Sequence, residues 1–278
     1  MHIPDGQRFY YWAMAPAAVL VAIFFAVPLL QVLWLSVSEP ALGLQNYAAL
    51  IDNTLLHRVW LNTLRICALT TVFAVLAGYL VAYVMVQVGE QHRFLMIFCI
   101  VLTFWLSVLI RAFAWVMILR TEGVVNATLL ALGLVEQPLR LVRNETGVLI
   151  GMTHYMLPVA VLPMYSSMTT ISRTFVDAAR GLGAGAWQTF LLVYLPLSKP
   201  GIIAAAVLVF IFSLGFYITP AILGGGRVVM IAEYIRVSFD ETLRWGYAAM
   251  LASTLLIALS LGLALLARVV NVRKVFGA

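Results

Sequence analysis

Charge is what this sequence has least of. Its 278 residues include 17 Lys and Arg and 11 Asp and Glu, 10% of the chain, against about 25% in an ordinary soluble domain. With 64% of residues hydrophobic and a mean hydropathy of +1.03, a soluble enzyme of this length is excluded and an integral membrane protein is indicated. Cysteine is nearly absent: Cys67 and Cys99 both fall in apolar runs, so they form neither a disulfide framework nor a metal cluster. The four histidines, His2, His57, His92 and His154, are scattered, which speaks against a metal site and against the clustered nucleophile and base of a membrane enzyme. Nucleotide-binding loops are missing too. Gly181-Leu-Gly-Ala-Gly185 and Gly224-Gly-Gly226 follow no predicted strand, and no Gly-x4-Gly-Lys-Ser/Thr occurs. No Asp or Glu lies within an apolar run, which argues against proton or sodium coupling and so against the alternative reading, a stand-alone secondary transporter or channel. The net charge of +6 is spread over short loops, so it suits lipid head groups and not nucleic acid.

What is present is apolar length. Six runs, 12–37, 63–88, 94–119, 146–171, 203–223 and 246–270, can each cross about 30 Å of hydrocarbon at roughly 1.5 Å per residue of helix. Unbroken runs of this kind exclude an outer-membrane barrel, whose strands alternate over about ten residues. The first run exceeds the roughly 7–15-residue apolar core of a signal peptide and reads as a retained anchor. No connecting segment reaches the 50 or so residues that a separate catalytic domain needs, so the expectation is an all-α integral membrane protein forming one transmembrane domain over 1–278. With the N-terminus inside, eight Lys and Arg fall on each side, and the positive-inside rule sets no orientation.

The informative connection is 172–202. Thr174 followed by Asp177 fits an N-terminal capping pattern; Phe175, Ala178, Ala179 and Leu182 then share a helical face, and Gly183 and Gly185 supply a stop. A second short helix is expected from about Ala186 to Pro196. A helix, glycine turn and helix with a small apolar knob is too short to form a core of its own, which suits it to dock in another protein's groove.

Asp177-Ala178-Ala179, Gly183, then nine residues, then Val193-x-Leu195-Pro196 resembles the signature loop of ABC importer permeases, Glu-Ala-Ala-x3-Gly-x9-Ile-x-Leu-Pro. All spacings agree, with Asp177 in place of Glu and Val193 in place of Ile. Leu109-Ile-Arg-Ala-Phe-Ala-Trp115, the stretch from Gly151 to Pro158 with Leu162-Pro163-Met-Tyr165, and Pro220-Ala-Ile-Leu-Gly-Gly225 are similar to the spermidine/putrescine-type branch. The resemblance implies a type I, MetI-like permease fold with six transmembrane helices, in which 172–202 is the cytoplasmic coupling loop, and the residues just named in it contact an ATPase. It further implies a bacterial inner-membrane protein with cytoplasmic N- and C-termini that imports a polyamine, opine or related amine or amino-acid-like solute. The implied partners are a second homologous permease, two ATP-binding subunits and a periplasmic or extracellular solute-binding protein. The permease itself is then no enzyme and holds no cofactor, ATP and Mg being bound by the partner ATPase.

Arg111 is the one charge well inside a run. Taken as a straight helix from Arg93, the run places it about 27 Å along a length of about 40 Å, where its side chain is expected to reach the outer interface. Pro158 and Pro163 interrupt the fourth run near His154 and Tyr155 and are expected to bend it. Arg111, Trp115, Tyr155, Phe216 and Tyr217 are the candidates for the translocation path, since an amine cargo favours aromatic faces. Glu122, Glu145, Glu233, Asp240 and Glu241, in the outer loops, are candidates for contacting a binding protein.

Overall fold

The computed structural model describes residues 5–269, and every regular element among them is helical. Apolar runs in lipid satisfy their backbone groups internally, which a helix does within one segment. The helices are α1 (Asp5–Ser38), α2 (Gln45–Asp52), α3 (Thr54–Gln87), α4 (Glu90–Trp105), α5 (Val108–Leu119), α6 (Val124–Ala131) and α7 (Glu145–Thr169). Then follow α8 (Arg173–Gly181), α9 (Ala186–Thr189), a π turn (Phe190–Tyr194), α10 (Leu195–Leu214), α11 (Ile218–Gly224), α12 (Ile231–Asp240) and α13 (Trp245–Val269). Trp12–Ser38, Thr54–Gln87, Glu145–Thr169, Ala186–Leu214 and Trp245–Ala264 are each long and apolar enough to span a membrane. A bent pair, Glu90–Trp105 with Val108–Ala131, turned through 101°, passes the same test only when its two helices are taken together, for five spans or six.

That bend overturns the straight helix expected over 94–119. Leu106 and Ser107 have extended ψ values of 132° and 135°, ending α4 and starting α5. Both halves are apolar, so hydropathy registers no break between them. The fifth span also moves. Expected over 203–223, it starts at Ala186 and ends at Leu214, and Gly215 leads through a short break into α11. The second short helix therefore does not stop at Pro196. Proline lacks an N–H and presses on the carbonyl four residues back; the wider π turn just before Pro196 relieves that pressure, and the helix runs on. Likewise α7 stays continuous through Pro158 and Pro163.

The described residues form two compact units. One comprises those up to Leu56 with Ile235–Ser260. Here the Asn46 amide donates to the Ser36 and Glu39 carbonyls at 3.1 and 2.7 Å, tying α2 to the end of α1, and the Tyr47 hydroxyl shares a 2.9 Å hydrogen bond with Ser36. Arg236 pairs with Asp240 at 3.6 Å and Glu241 at 3.0 Å.

The other unit comprises His57–Tyr234 with the described residues from Leu261 on. Its core joins α3, α7 and α10 through Ala74, Ala82, Met156, Ala160, Met164 and Val209. Small residues set the spacing, as expected where lipid gives helices no hydrophobic reason to associate. A Cβ at Gly201 of α10 would lie 2.5 Å from Ser167 Cβ and 3.1 Å from Met164 Cα, so only glycine permits this approach to α7. At the start of α7 the Asn144 side chain accepts from the Gly147 N–H at 2.9 Å, and Glu145 pairs with Arg65 of α3 at 3.1 Å.

Candidate coupling and translocation sites

In the segment 172–202 the cap is Ser172 and not Thr174. The Ser172 hydroxyl accepts from the Thr174 N–H at 3.3 Å, which places Asp177 beyond the first turn of α8. Both residues are good caps; Ser172 wins because the chain turns helical at Arg173. One face of α8 carries Phe175, Ala178 and Leu182 and is exposed, Leu182 to 90%. The other, at helical spacing from Arg173 through Asp177 to Arg180, lines a cleft in the same unit. Arg173, Asp177 and Arg180 remain exposed at the cleft, and only Val176 and Ala179 are half-buried, so α8 shows the outside both charged and large apolar side chains.

The turn that follows needs glycine. Gly183 has φ +88°, a left-handed conformation costly for residues with a Cβ. It lets the Leu182 and Ala184 N–H groups donate to the Ala178 and Ala179 carbonyls at 3.0 and 3.1 Å. Gln188 Oε1 then accepts from the Gly185 N–H at 3.1 Å, starting α9. Of the seven predicted coupling residues, Asp177, Ala178, Gly183 and Pro196 are exposed, while Ala179, Val193 and Leu195 are half-buried.

Sequence reasoning missed the ring train beside them. Trp187, 70% exposed, stacks on Phe190 at 5.8 Å between centroids, and Phe190 stacks on Tyr194 at 6.3 Å. Tyr79 and Tyr83 of α3 meet Phe190 edge-on at 6.2 and 5.7 Å, and Tyr83 meets Tyr194 at 5.2 Å. Tyr79 and Ser198 share a 3.0 Å hydrogen bond. The segment 172–202 is thereby joined to α3 through rings.

A second constellation forms at the broken third span. Arg111 is buried, with 7% exposure, and does not reach an outer interface as expected. The break, by turning α5 back, brings the guanidinium to the end of α4, where it donates to the Thr103 and Leu106 carbonyls, the latter at 3.0 Å. The last four carbonyls of a helix lack intrahelical partners and carry its negative end, so a cation there is favourable twice over. The same guanidinium lies 4.6 Å from the Tyr155 ring centroid, and Tyr155 packs on Phe216 at 4.3 Å. One turn along α5, Trp115 Nε1 donates to His154 Nδ1 at 3.2 Å.

Four of the five path candidates are thus brought together on α5, α7 and the break before α11. Tyr217 stands exposed at the head of α11. Phe216 and Tyr217 lie past the end of α10 and not within a span, while Phe104, Trp105, Phe113 and Phe212 are exposed. Among the acids considered for a binding protein, Glu145 is engaged by Arg65 and Glu233 is buried. One local signal for the break existed: Ser107, a cap-forming residue at the head of an apolar run.

A family model described as the inner membrane component of binding-protein-dependent transport systems matches residues 74–275. The chain belongs to this family. Over 218 residues this permease is 34% identical to the spermidine/putrescine transport system permease protein PotB of Haemophilus influenzae, covering 78% of this chain and 76% of that protein. Against PotB of Escherichia coli K12 the identity is 33%, covering 78% and 79%. Similarity to the molybdenum transport system permease protein ModB of Azotobacter vinelandii is lower, 26% over 59% of this chain and 70% of that one. A bacterial alginate ABC transporter, solved in complex with an alginate pentasaccharide-bound periplasmic protein, shares the fold with a TM-score of 0.75 at 18% identity, covering 95% and 96% of the two chains. An amino acid ABC transporter solved with histidines gives 0.53 at 16% identity, covering 81% and 98%. The fold is that of ABC importer permeases, and the chain is a membrane permease subunit of an ABC importer.

Proposed function

We propose that this permease carries a polyamine or a related small amine, delivered by a soluble binding protein, and that α8 docks on an ATP-hydrolysing subunit. The observation that carries the docking is the exposed apolar surface at α8, formed by Phe175, Ala178 and Leu182. Apolar surface so displayed at a segment too short for its own core is stabilised by a partner's groove. The likeness to two spermidine/putrescine permeases supports the cargo class. A fold shared with an alginate importer does not choose a cargo, since function resides in sites grafted on folds.

In this reading the segment 172–202 and both termini face the cytoplasm. A second permease subunit completes the pathway, and ATP and Mg2+ are held by two ATPase subunits and not by this chain. Nucleotide binding favours one arrangement of helices and hydrolysis another, so the pathway opens to each side in turn. Arg111, Trp115, Tyr155, Phe216 and Tyr217 border that pathway. The rings offer faces to an amine, while Arg111 spends its charge on the α4 carbonyls.

The test is to co-purify the complex and measure ATP hydrolysis with the binding protein loaded by one solute at a time. Spermidine or putrescine is expected to stimulate hydrolysis. Stimulation by an unrelated solute alone overturns the cargo class, and purification without any ATP-hydrolysing subunit overturns the docking.

A further inference from the structure

We propose that the cleft beneath α8 binds a phosphate-type oxyanion, supplied by the headgroup of an acidic phospholipid. The cleft has a volume of about 460 Å³ and lies within one compact unit. Arg93 from the first turn of α4 and Arg173 and Arg180 from α8 line it, against one carboxylate, Asp177. Among the described residues none of these three arginines is in an ion pair within 4.0 Å. Guanidinium groups present planar forks of donors that match phosphate oxygens, and three facing one cavity exceed what a single carboxylate neutralises.

A second observation points the same way. Thr189 and Tyr194 also line the cleft, with 3% and 7% exposure, and among the described residues neither hydroxyl has a hydrogen-bond partner. Buried hydroxyls are nearly always paired, so two orphans on residues that line one basic cleft leave polar demand unmet beside it, with neither oxygen itself open to the cleft.

Depth selects the source of the anion. Gln87 ends α3, Thr169 ends α7, and both border the cleft, which puts it where apolar spans finish and headgroups begin. Immediately past Arg93, α4 presents exposed Phe94, Leu95 and Phe98, a surface for acyl chains. Basic pockets between helices at the membrane boundary hold acidic headgroups in this manner.

The test uses the full-length chain with its co-assembled subunits in mild detergent, offered phosphatidylglycerol or phosphatidylcholine, with retained lipid counted by native mass spectrometry. Phosphatidylglycerol is expected to be retained in preference. Each of Arg93→Gln, Arg173→Gln and Arg180→Gln is expected to lower its retention about fivefold, the factor for one basic side chain near a headgroup. Retention indifferent to the arginines overturns the site. Should the arginine variants fail to assemble, Asp177→Asn decides: removing the competing carboxylate raises retention if the site is right, and unchanged or lower retention overturns it. Inorganic phosphate at matched ionic strength supplies a further arm. Displacement of the lipid by phosphate supports the site, whereas thermal stabilisation by phosphate without any lipid preference overturns the headgroup as its source. Phosphatidylglycerol that binds only after the ATP-hydrolysing subunits are stripped away assigns the cleft to an acidic segment of that partner and overturns the proposal.

Discussion

Two membrane segments of this permease are interrupted in opposite ways. Between α4 and α5 the backbone leaves the helix at Leu106 and Ser107, the axis turns 101°, and a buried guanidinium closes the gap by donating to the carbonyls of the helix it left. Between α9 and α10 the chain never leaves helical geometry. It widens into a π turn over Phe190–Tyr194 and is braced by stacked and edge-on rings. A hydrogen-bonded charge in a buried site acts as a lock, because its energy falls steeply with donor angle and distance. Rings at 5–6 Å trade one contact for another at small cost, so they make a joint that moves while staying packed. The lock sits among the path candidates and the joint next to α8, the helix proposed to dock on an ATPase, which is the placement needed if force enters at one and access is set at the other.

The hardest blow to this contrast is Arg111→Met. It removes both charge-assisted hydrogen bonds and leaves buried carbonyls unpaired, for a loss of about 3 kcal/mol in stability. Solute uptake is expected to fall at least about tenfold, since 1.4 kcal/mol already corresponds to a factor of ten. Arg111→Lys keeps the charge but loses the planar fork, and is expected to recover only part of both. Thermal unfolding in nanodiscs and uptake into vesicles measure the two. A cost of under about 1 kcal/mol for Arg111→Met means the break is held by packing and that the two interruptions are alike.

At the joint, Phe190→Ala removes one ring that touches Trp187, Tyr79, Tyr83 and Tyr194. The expected cost is about 2 kcal/mol, and the expected signature is weaker stimulation of ATP hydrolysis by loaded binding protein with basal hydrolysis kept. Equal loss of basal and stimulated rates makes the rings structural only.

Gly183→Val comes next, at about 1–2 kcal/mol of backbone strain, because nothing crowds a Cβ there and only φ +88° resists it. The strain falls on the turn that aims α8, so the variant is expected to insert normally and yet lose stimulation. Gly183→Asn tolerates left-handed geometry and is expected to keep most of it. Full stimulation in Gly183→Val removes the turn from the coupling path.

The outline of this permease was legible because hydropathy and spacing are both linear in sequence. Six apolar runs correspond to five long apolar helices and one bent pair, and the intervals among Asp177, Gly183, Leu195 and Pro196 are what raise the proposal that 172–202 docks on a partner. The lock was not legible. Arg111 answers backbone carbonyls, which every residue carries, so no complementary side chain marks its partner. The break beside it lies between two stretches that are both apolar, and hydropathy is blind to direction. Ser172 and Thr174 were equally good caps on chemistry, and the backbone path chose between them. The π turn was hidden for a similar reason, since Pro196 signals an end to a helix whose only change is its pitch.

The smallest effect separates lock from joint most cleanly. Trp115 and His154 combine both devices, a 3.2 Å hydrogen bond and an edge-on ring contact at 5.5 Å. Trp115→Phe deletes the donor and keeps a ring, for about 1 kcal/mol; His154→Phe deletes the acceptor and orphans the indole N–H at a similar cost. The double variant leaves nothing unpaired and restores an apolar ring pair, so its cost is expected to be less than the sum of the singles by about 1 kcal/mol. Thermal unfolding of the four proteins gives that coupling directly. Coupling near zero means ring contact alone holds α5 to α7 at this turn, and the polar lock then begins and ends with Arg111.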